Sequence, residues 1–163
     1  MKKHASLLAH FRDILILPVM VTVVIPYFID KPGNLPPGYL QFVGFVVGIA
    51  GLSLLLYTVI LFKIIGRGTL APWSPKQRLV ITGPYRYCRN PMITGVFIIL
   101  VGECIFFWSS ALLSYLLIFF VINTIYFILV EEPGLKERFG NDYDEYKEHV
   151  PRWIPRLKPY HHF

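Results

Sequence analysis

Residues 83–95 read GPYRYCRNPMITG and separate two strongly apolar parts of the chain. One apolar run ends near Ile65, and the next begins at Met92. The stretch between them holds two prolines, two arginines and two tyrosines. Proline fixes the backbone, and charged side chains are costly near hydrocarbon, so such a segment needs a reason to be there. We expect much of the function to depend on this turn.

The composition indicates that the solvent of this chain is a lipid bilayer. Of its 163 residues, 55% are hydrophobic and 16% charged, and the mean hydropathy is +0.53. A helix that crosses the hydrocarbon core needs roughly 20 apolar residues, and about 17 are tolerated. We therefore predict a single domain over residues 1–163, an all-α integral membrane protein whose last two helices form a hairpin. The four predicted spans are residues 14–29, 39–65, 92–108 and 111–130.

Charge placement predicts the topology. The first span follows Lys2, Lys3 and Arg12, as a signal peptide would, but it lacks a small-x-small cleavage pattern, so we expect an uncleaved span. With the N-terminus inside, Lys31 is the only lysine or arginine on the outer side. Both termini are thus predicted to be cytoplasmic. This distribution of Lys and Arg accounts for the net charge of +6 without a nucleic-acid partner. The sequence has no basic helix with interleaved base-stacking aromatic residues, as a nucleic-acid-binding protein would.

Two cytosolic regions remain, residues 66–91 and 131–158. In the second, apolar residues recur at spacings of three and four, which indicates an amphipathic helical tail. We expect Gly140 and Asn141 to divide it, with Asn141 capping the second helix. The tail is either an interfacial anchor or a lid over a site at the membrane surface. The apolar residues that recur in this tail, which we call the apolar stripe, are Leu135, Phe139, Tyr143, Tyr146 and Val150.

Glu131 and Glu132 directly follow some twenty apolar residues, at the same predicted depth as Arg86, Arg89 and Asn90. They either mark the membrane boundary or form a polar pocket for a ligand that carries both charge signs. No HExxH and no paired CxxC occurs, so no metal site is expected.

Glu103 lies inside the predicted third span, where we favour a structural or substrate-facing role. Cys88 and Cys104 are expected to be free thiols, and arginines near Cys88 would lower its pKa.

The segments GTLAPWSPKQRLVITGPYRYCRNPM and EEPGLKERFGNDYDEYKEHVPRWIP carry a family pattern. In order and spacing they resemble the isoprenylcysteine carboxyl methyltransferase family and its broader superfamily with phospholipid methyltransferases. The resemblance covers about residues 68–156. It implies transfer of a methyl group from S-adenosylmethionine (SAM) to a lipid-like or prenylated acceptor embedded in the membrane.

The resemblance also implies site residues. Arg89 and Glu132 are the candidate catalytic residues. The implied cofactor-binding residues are Gln77, Arg78, Leu79, Val80, Tyr85, Asn90, Pro91, Met92, Ile93 and Glu131.

Three positions depart from the family pattern. Asn90 stands where histidine is common, and Ile93 stands where tyrosine is common, which removes a hydroxyl and an aromatic face. Phe127 occupies the position where the prenylcysteine branch has an arginine for the substrate carboxylate, which favours a lipid or other small hydrophobic acceptor.

Two alternatives stay open. Membrane sterol reductases share a related architecture and use NADPH, although they are usually much longer. A non-catalytic membrane binding module would keep the same scaffold without its cofactor, and Ile93 is the best support for it.

Overall fold

A computed structural model describes residues 18–29, 35–65 and 79–160. Within these ranges every regular element is helical. Helix α1 (Met20–Ile29) begins with a π-helical turn, and α2 (Gly38–Ile65) and α3 (Pro91–Phe107) follow. Helix α4 (Ser110–Tyr126) continues through a π-helical turn, Phe127–Glu131, into α5 (Glu132–Phe139), and α6 (Asn141–His149) comes last.

Two of the four predicted spans are long and apolar enough to cross a membrane. They lie in Gly38–Leu61 and in the continuous helix Ser110–Phe139, and α1 and α3 are shorter apolar helices. The count of full-length spans among the described residues is therefore two rather than four. Only 6% of the most apolar 18-residue window of Ser110–Phe139 is buried, and 28% of that in Gly38–Leu61. This exposure favours a lipid environment, since the core helix of a soluble protein is mostly covered.

Helices α2 and α3 cross at backbone contact. A Cβ atom on Gly51 would lie 2.7 Å from the Ile99 backbone nitrogen, and one on Gly102 would lie 2.6 Å from the Gly48 nitrogen. Glycine is required at both positions because any side chain would push the helices apart. Small residues at such crossings replace the hydrophobic driving force that is missing between helices in lipid.

The hairpin between α3 and α4 is tight, as the sequence predicts. Trp108 adopts the left-handed conformation, with φ of 52°, and ends α3. Ser109 then caps α4 by accepting a hydrogen bond from the Leu112 nitrogen at 3.3 Å. Glu103 lies one turn before the end of α3, midway between the centre of the helix and its C-terminal end. Its Oε2 is buried and has no hydrogen-bond partner among the described residues.

The tail divides at Gly140, as predicted, but the cap is different. Gly140 itself is the N-cap of α6, with φ of 56°, and no side chain caps the helix. Asn141 is already helical, so its expected capping role is wrong. The apolar stripe does form one core, in which Tyr143, Tyr146 and Val150 are buried together with Tyr160.

Candidate functional site

The turn at residues 83–90 packs on the C-terminal end of α2. It begins with a 3₁₀ helix, Gly83–Arg86. Gly83 has φ of +59°, and Pro84 lies in the first turn of the helix, where its missing N–H costs nothing. A Cβ atom on Gly83 would lie 3.1 Å from the Tyr57 hydroxyl. The position therefore needs glycine for both conformation and space.

The last part of the chain runs antiparallel to this turn. The Arg89 nitrogen donates to the Pro151 carbonyl at 2.9 Å, the Arg156 nitrogen to Tyr87 at 3.0 Å, and the Tyr160 nitrogen to Arg86 at 3.0 Å. From α6, the Tyr146 hydroxyl donates to the Tyr85 carbonyl at 2.6 Å, in a buried position. We call α5, α6 and residues 151–160 the cap. The cap therefore packs directly on the turn.

A buried carboxylate joins the turn, α5, α6 and residues 151–160. Glu132 Oε1 accepts from the Arg89 guanidinium at 3.0 Å and from Arg152 Nε and Nη2, both at 2.7 Å. Its Oε2 pairs with the Lys147 ammonium at 2.9 Å. The Glu132 side chain is only 7% exposed, and that of Arg89 only 10%. We call these four residues the Glu132 cluster.

The electrostatics of the cluster keep Glu132 ionised. Burial by itself would raise the pKa of this carboxyl, but hydrogen bonds from Lys147 and Arg152 and the charge of Arg89 outweigh it, so the pKa is lowered. Arg89 also donates to the Tyr143 hydroxyl at 3.2 Å. Burial and the Glu132 charge raise the pKa of Tyr143, so its hydroxyl stays neutral.

Several implied cofactor residues lie together. Val80 and Tyr85 are buried in one apolar cluster, and Met92 packs against it along with Leu61. Glu131 lies close enough to Tyr85 that, after burial and Cys88, its charge raises the pKa of that phenol. In the described part of the chain, the Glu131 carboxylate forms no ion pair.

Other implied residues are placed differently. Leu79 packs against the aromatic core of the cap. Pro91 is buried and, with Leu54 and Tyr57, lines a separate, open cavity of about 420 Å³ between α2 and the turn. Asn90 and Ile93 are half-buried near the start of α3. Gln77 and Arg78 lie outside the described residues.

Cys88 does not have the expected low pKa. Burial raises the pKa of this thiol, and this exceeds the lowering by Thr94, the backbone and Arg89. The thiol donates to the Arg152 carbonyl at 3.2 Å. Its environment is that of a buried structural cysteine.

Sequence reasoning missed Lys147 and Trp153 and left Arg152 without a role. Trp153 packs edge-on against Phe127, with ring centroids 5.4 Å apart, and contacts Phe97 at 5.3 Å. The tripeptide Val150-Pro151-Arg152 was a usable signal for Arg152, since it belongs to the family pattern. Nothing in the sequence spacing of Lys147 and Glu132 indicates that they form an ion pair. Among the residues that the structure describes, no group of three or more His, Cys, Asp or Glu side chains could hold a metal ion.

Comparison with known proteins gives one match. The family model for phospholipid methyltransferase matches residues 40–142, which is more than half of the chain and includes α2, the turn, the α3–α4 hairpin and both glutamates. No curated protein and no solved structure matches significantly. The match supports the broader superfamily and does not single out the isoprenylcysteine branch. This chain belongs to the phospholipid methyltransferase family.

Proposed function

We propose that this protein is a multi-pass membrane enzyme that transfers a methyl group from SAM to a phospholipid-like acceptor at the cytosolic face of the bilayer. The observation that carries the proposal is the family match over residues 40–142. The concentration of Lys and Arg outside the apolar runs supports four spans with both termini in the cytoplasm.

The residues at the turn suit SAM. This cofactor has a sulfonium, an ammonium, a carboxylate and an adenosine, so it needs an anionic partner and an aromatic or apolar wall. Glu131 offers a carboxylate without an ion pair in the described chain, and it lies beside Tyr85. Val80 and Tyr85 form a buried apolar cluster against which Met92 packs. Asn90, at the start of α3, retains hydrogen-bonding groups.

When bound, SAM supplies an electrophilic methyl group on a positively charged sulfur. The protein's part is then to align an acceptor with that methyl group and to exclude water. The cap serves the second task, because its buried tyrosines lie directly over the turn: Tyr146 donates to the Tyr85 carbonyl at 2.6 Å.

The two glutamates have different roles in this proposal. Glu132 is ionised and engaged by three cations, and protonating it would break all of these contacts at once. It is therefore a positioning residue that holds Arg89 in place. If the acceptor is an amine, Glu131 is the carboxylate available to take its proton.

Phe127 favours a phospholipid over a prenylcysteine acceptor. Its side chain is 8% exposed and packs against Trp153, in the place where the prenylcysteine branch has an arginine. A free carboxylate on the acceptor would therefore lack that charged partner.

The first experiment is calorimetric binding of SAM and S-adenosylhomocysteine to the full-length protein in detergent. We expect saturable binding that Glu131→Gln weakens at least tenfold, since a charge-assisted contact is worth about 1.5–3 kcal/mol. Glu137→Gln is the matched control, because Glu137 is an exposed residue of α5 with no ion pair in the described chain. Equal affinities of both variants would remove Glu131 from the site.

The second experiment follows a labelled methyl group from SAM into lipids extracted with organic solvent. Label in a phospholipid product supports the proposal. Label found only in hydrolysed cofactor, with SAM binding intact, would contradict it and would favour the non-catalytic binding module.

A further inference from the structure

The apolar stripe of the tail is used inside the cap. The stripe residues of α6 are buried together in the core of the cap, and those of α5 pack against that core. An amphipathic helix anchors to a membrane through an apolar face that is free to enter it, and neither helix keeps the stripe free. Contact between the cap and a bilayer therefore has to come from residues 151–160.

Residues 151–160 expose large apolar side chains. Ile154 is 80% exposed and Leu157 is 100% exposed, so Leu157 gains nothing from packing against the described chain. Single exposed apolar residues are ordinary on the surface of a soluble protein. These two are different because their segment also enters the apolar part of the molecule.

Trp153, next to Ile154, lies among the apolar helices. Its ring centroid is 5.3 Å from that of Phe97 and 5.7 Å from that of Phe120. Phe97 is six residues from the start of α3, about 9 Å along the helix axis. Phe120 lies near the middle of α4 and is 40% exposed. The segment therefore runs beside the exposed apolar surface of α4 and not beyond the end of that helix.

The composition of residues 151–160 suits the boundary between hydrocarbon and headgroups. The segment has two arginines, one lysine and no acidic residue, and cationic side chains beside large apolar ones are typical of interfacial segments. Three of its ten residues are prolines, which have no N–H to leave unpaired where water is scarce. The Arg156 and Tyr160 nitrogens donate to carbonyls of the turn. The backbone of this irregular segment thus tolerates partial burial in lipid.

We propose that residues 153–157 insert into the bilayer, with the Ile154 and Leu157 side chains among the acyl chains of the leaflet next to the cap. The bilayer is the one that surrounds the protein's own helices. Because Arg156 and Tyr160 bond to the turn, this insertion also holds the cap on the turn. The inference rests on the membrane location in the proposed function and not on methyl transfer.

Nitroxide labels measure the insertion directly. Each label is attached to a single cysteine in full-length protein in lipid nanodiscs, without SAM, after both native cysteines have been replaced by alanine. Collision with oxygen, which concentrates in hydrocarbon, is compared with collision with a water-soluble nickel chelate. Ile154→Cys and Leu157→Cys should show the high oxygen and low nickel accessibility of Leu117→Cys, at a 58%-exposed position of α4. Glu148→Cys, exposed on α6, is the matched control and should show the reverse.

Leu157→Gln tests the consequence with the native cysteines in place. Since Leu157 is fully exposed in the described chain, a loss of stability on substitution reports its surroundings and not its protein neighbours. We expect hydrogen exchange of the Arg156 and Tyr160 amides in nanodiscs to rise about tenfold, because full burial of a leucine side chain is worth at least that factor. Leu157→Met keeps an apolar side chain and should leave exchange unchanged.

Three results would overturn the inference while leaving the membrane location intact. The first is high nickel accessibility at Ile154→Cys and Leu157→Cys while Leu117→Cys stays in lipid. The second is equal exchange in Leu157→Gln and Leu157→Met. The third is low accessibility of the first two labels to both reagents, because a protein surface, such as a second copy of this chain, would then cover them.

Failure of the proposed function would give a different result. High nickel accessibility at Leu117→Cys would overturn the membrane location itself, and the inference with it. A protein that neither binds SAM nor transfers methyl groups would give the same label accessibilities and exchange rates, so these measurements test the insertion separately from the chemistry.

Discussion

Helices α2 and α3 are in direct backbone contact at glycines, whereas the cap is held on the turn by hydrogen bonds of tyrosine hydroxyls and by ion pairing. In the membrane half, the contacts at Gly51 and Gly102 leave no room for a side chain. At the turn, Tyr146 and Arg89 each take part in a hydrogen bond between turn and cap, and Arg152 donates to Glu132 within the cap.

The difference follows from the two solvents. Lipid competes with apolar side chains for contact, so helices inside it gain most by close approach and van der Waals packing. At the cytosolic surface, water makes each exposed polar contact weak, and the polar links that count are the buried ones. The membrane half should therefore be sensitive to added volume, and the cap to lost hydrogen bonds and charge.

The largest effect is expected for Glu132→Gln. Removing this charge leaves the buried Arg89 and the partly exposed Arg152 without an anion, and breaking a buried pair such as Arg89–Glu132 costs about 3–5 kcal/mol. Hydrogen exchange should show residues 151–160 losing protection while α2 and α3 keep theirs. Glu137→Gln is the control. If α2 and α3 lose protection equally, the two halves are not independent.

Gly51→Ala should act on the membrane half instead. The added Cβ would meet backbone atoms at 2.7–3.0 Å, and overpacking of this kind costs about 1–3 kcal/mol. Gly48→Ala is the matched control on the same helix, because its Cβ would meet nothing within 4 Å. Thermal unfolding in detergent should separate the two variants. Equal melting temperatures would mean that the helices can move apart without cost.

Tyr146→Phe should have a smaller effect, confined to the cap. It removes the 2.6 Å hydrogen bond to the Tyr85 carbonyl, which is worth about 0.5–1.5 kcal/mol. Because Tyr85 lies among the proposed cofactor residues, SAM affinity should fall with it. Tyr39→Phe, in a 69%-exposed residue at the N-terminal end of α2, should change neither quantity. Unchanged cap protection and SAM affinity in Tyr146→Phe would contradict this link.

The smallest effect is that of mild acid. Since the pKa of Glu132 is lowered on folding, its stabilisation is complete above the ordinary value of 4.5 and is lost as the pH falls further toward the folded pKa. At pH 4.5 the Glu132 carboxyl is protonated in half of the unfolded chains. The free energy of unfolding of the unmodified protein, relative to Glu132→Gln, should therefore have fallen by about 0.4 kcal/mol from its value at pH 7. Denaturant unfolding of both proteins between pH 7 and pH 4 measures it. A stability difference between the two proteins that grows as the pH falls would contradict the predicted direction.

Part of the fold was readable from sequence. The apolar runs, a tight hairpin at about Ser109 and Ser110 and the division of the tail at Gly140 follow from hydropathy and from glycine, and the structure has the hairpin turn at Trp108 and Ser109. The α2–α3 crossing left a signal in the seven-residue spacing of Gly44 and Gly51, but such spacing cannot say which helix is the partner. The capping role of Asn141 failed because Gly140 reaches a positive φ more easily and caps in its place.

The sequence by itself determined that this chain is apolar and helical, and it predicted that a rigid, charged turn and two adjacent glutamates lie close together. Only the tertiary structure decided what each glutamate does. The π-helical turn Phe127–Glu131 holds one residue more than an α-helical turn, and one residue rotates the following side chains by about 100°. Glu132 thereby enters the cluster of Arg89, Lys147 and Arg152, while Glu131 stays half-buried beside Tyr85. Two adjacent glutamates therefore have different roles: Glu132 is a structural anion, and Glu131 is a candidate ligand-binding residue. The tertiary structure decides this because an ion pair depends on distances between residues that are far apart in sequence.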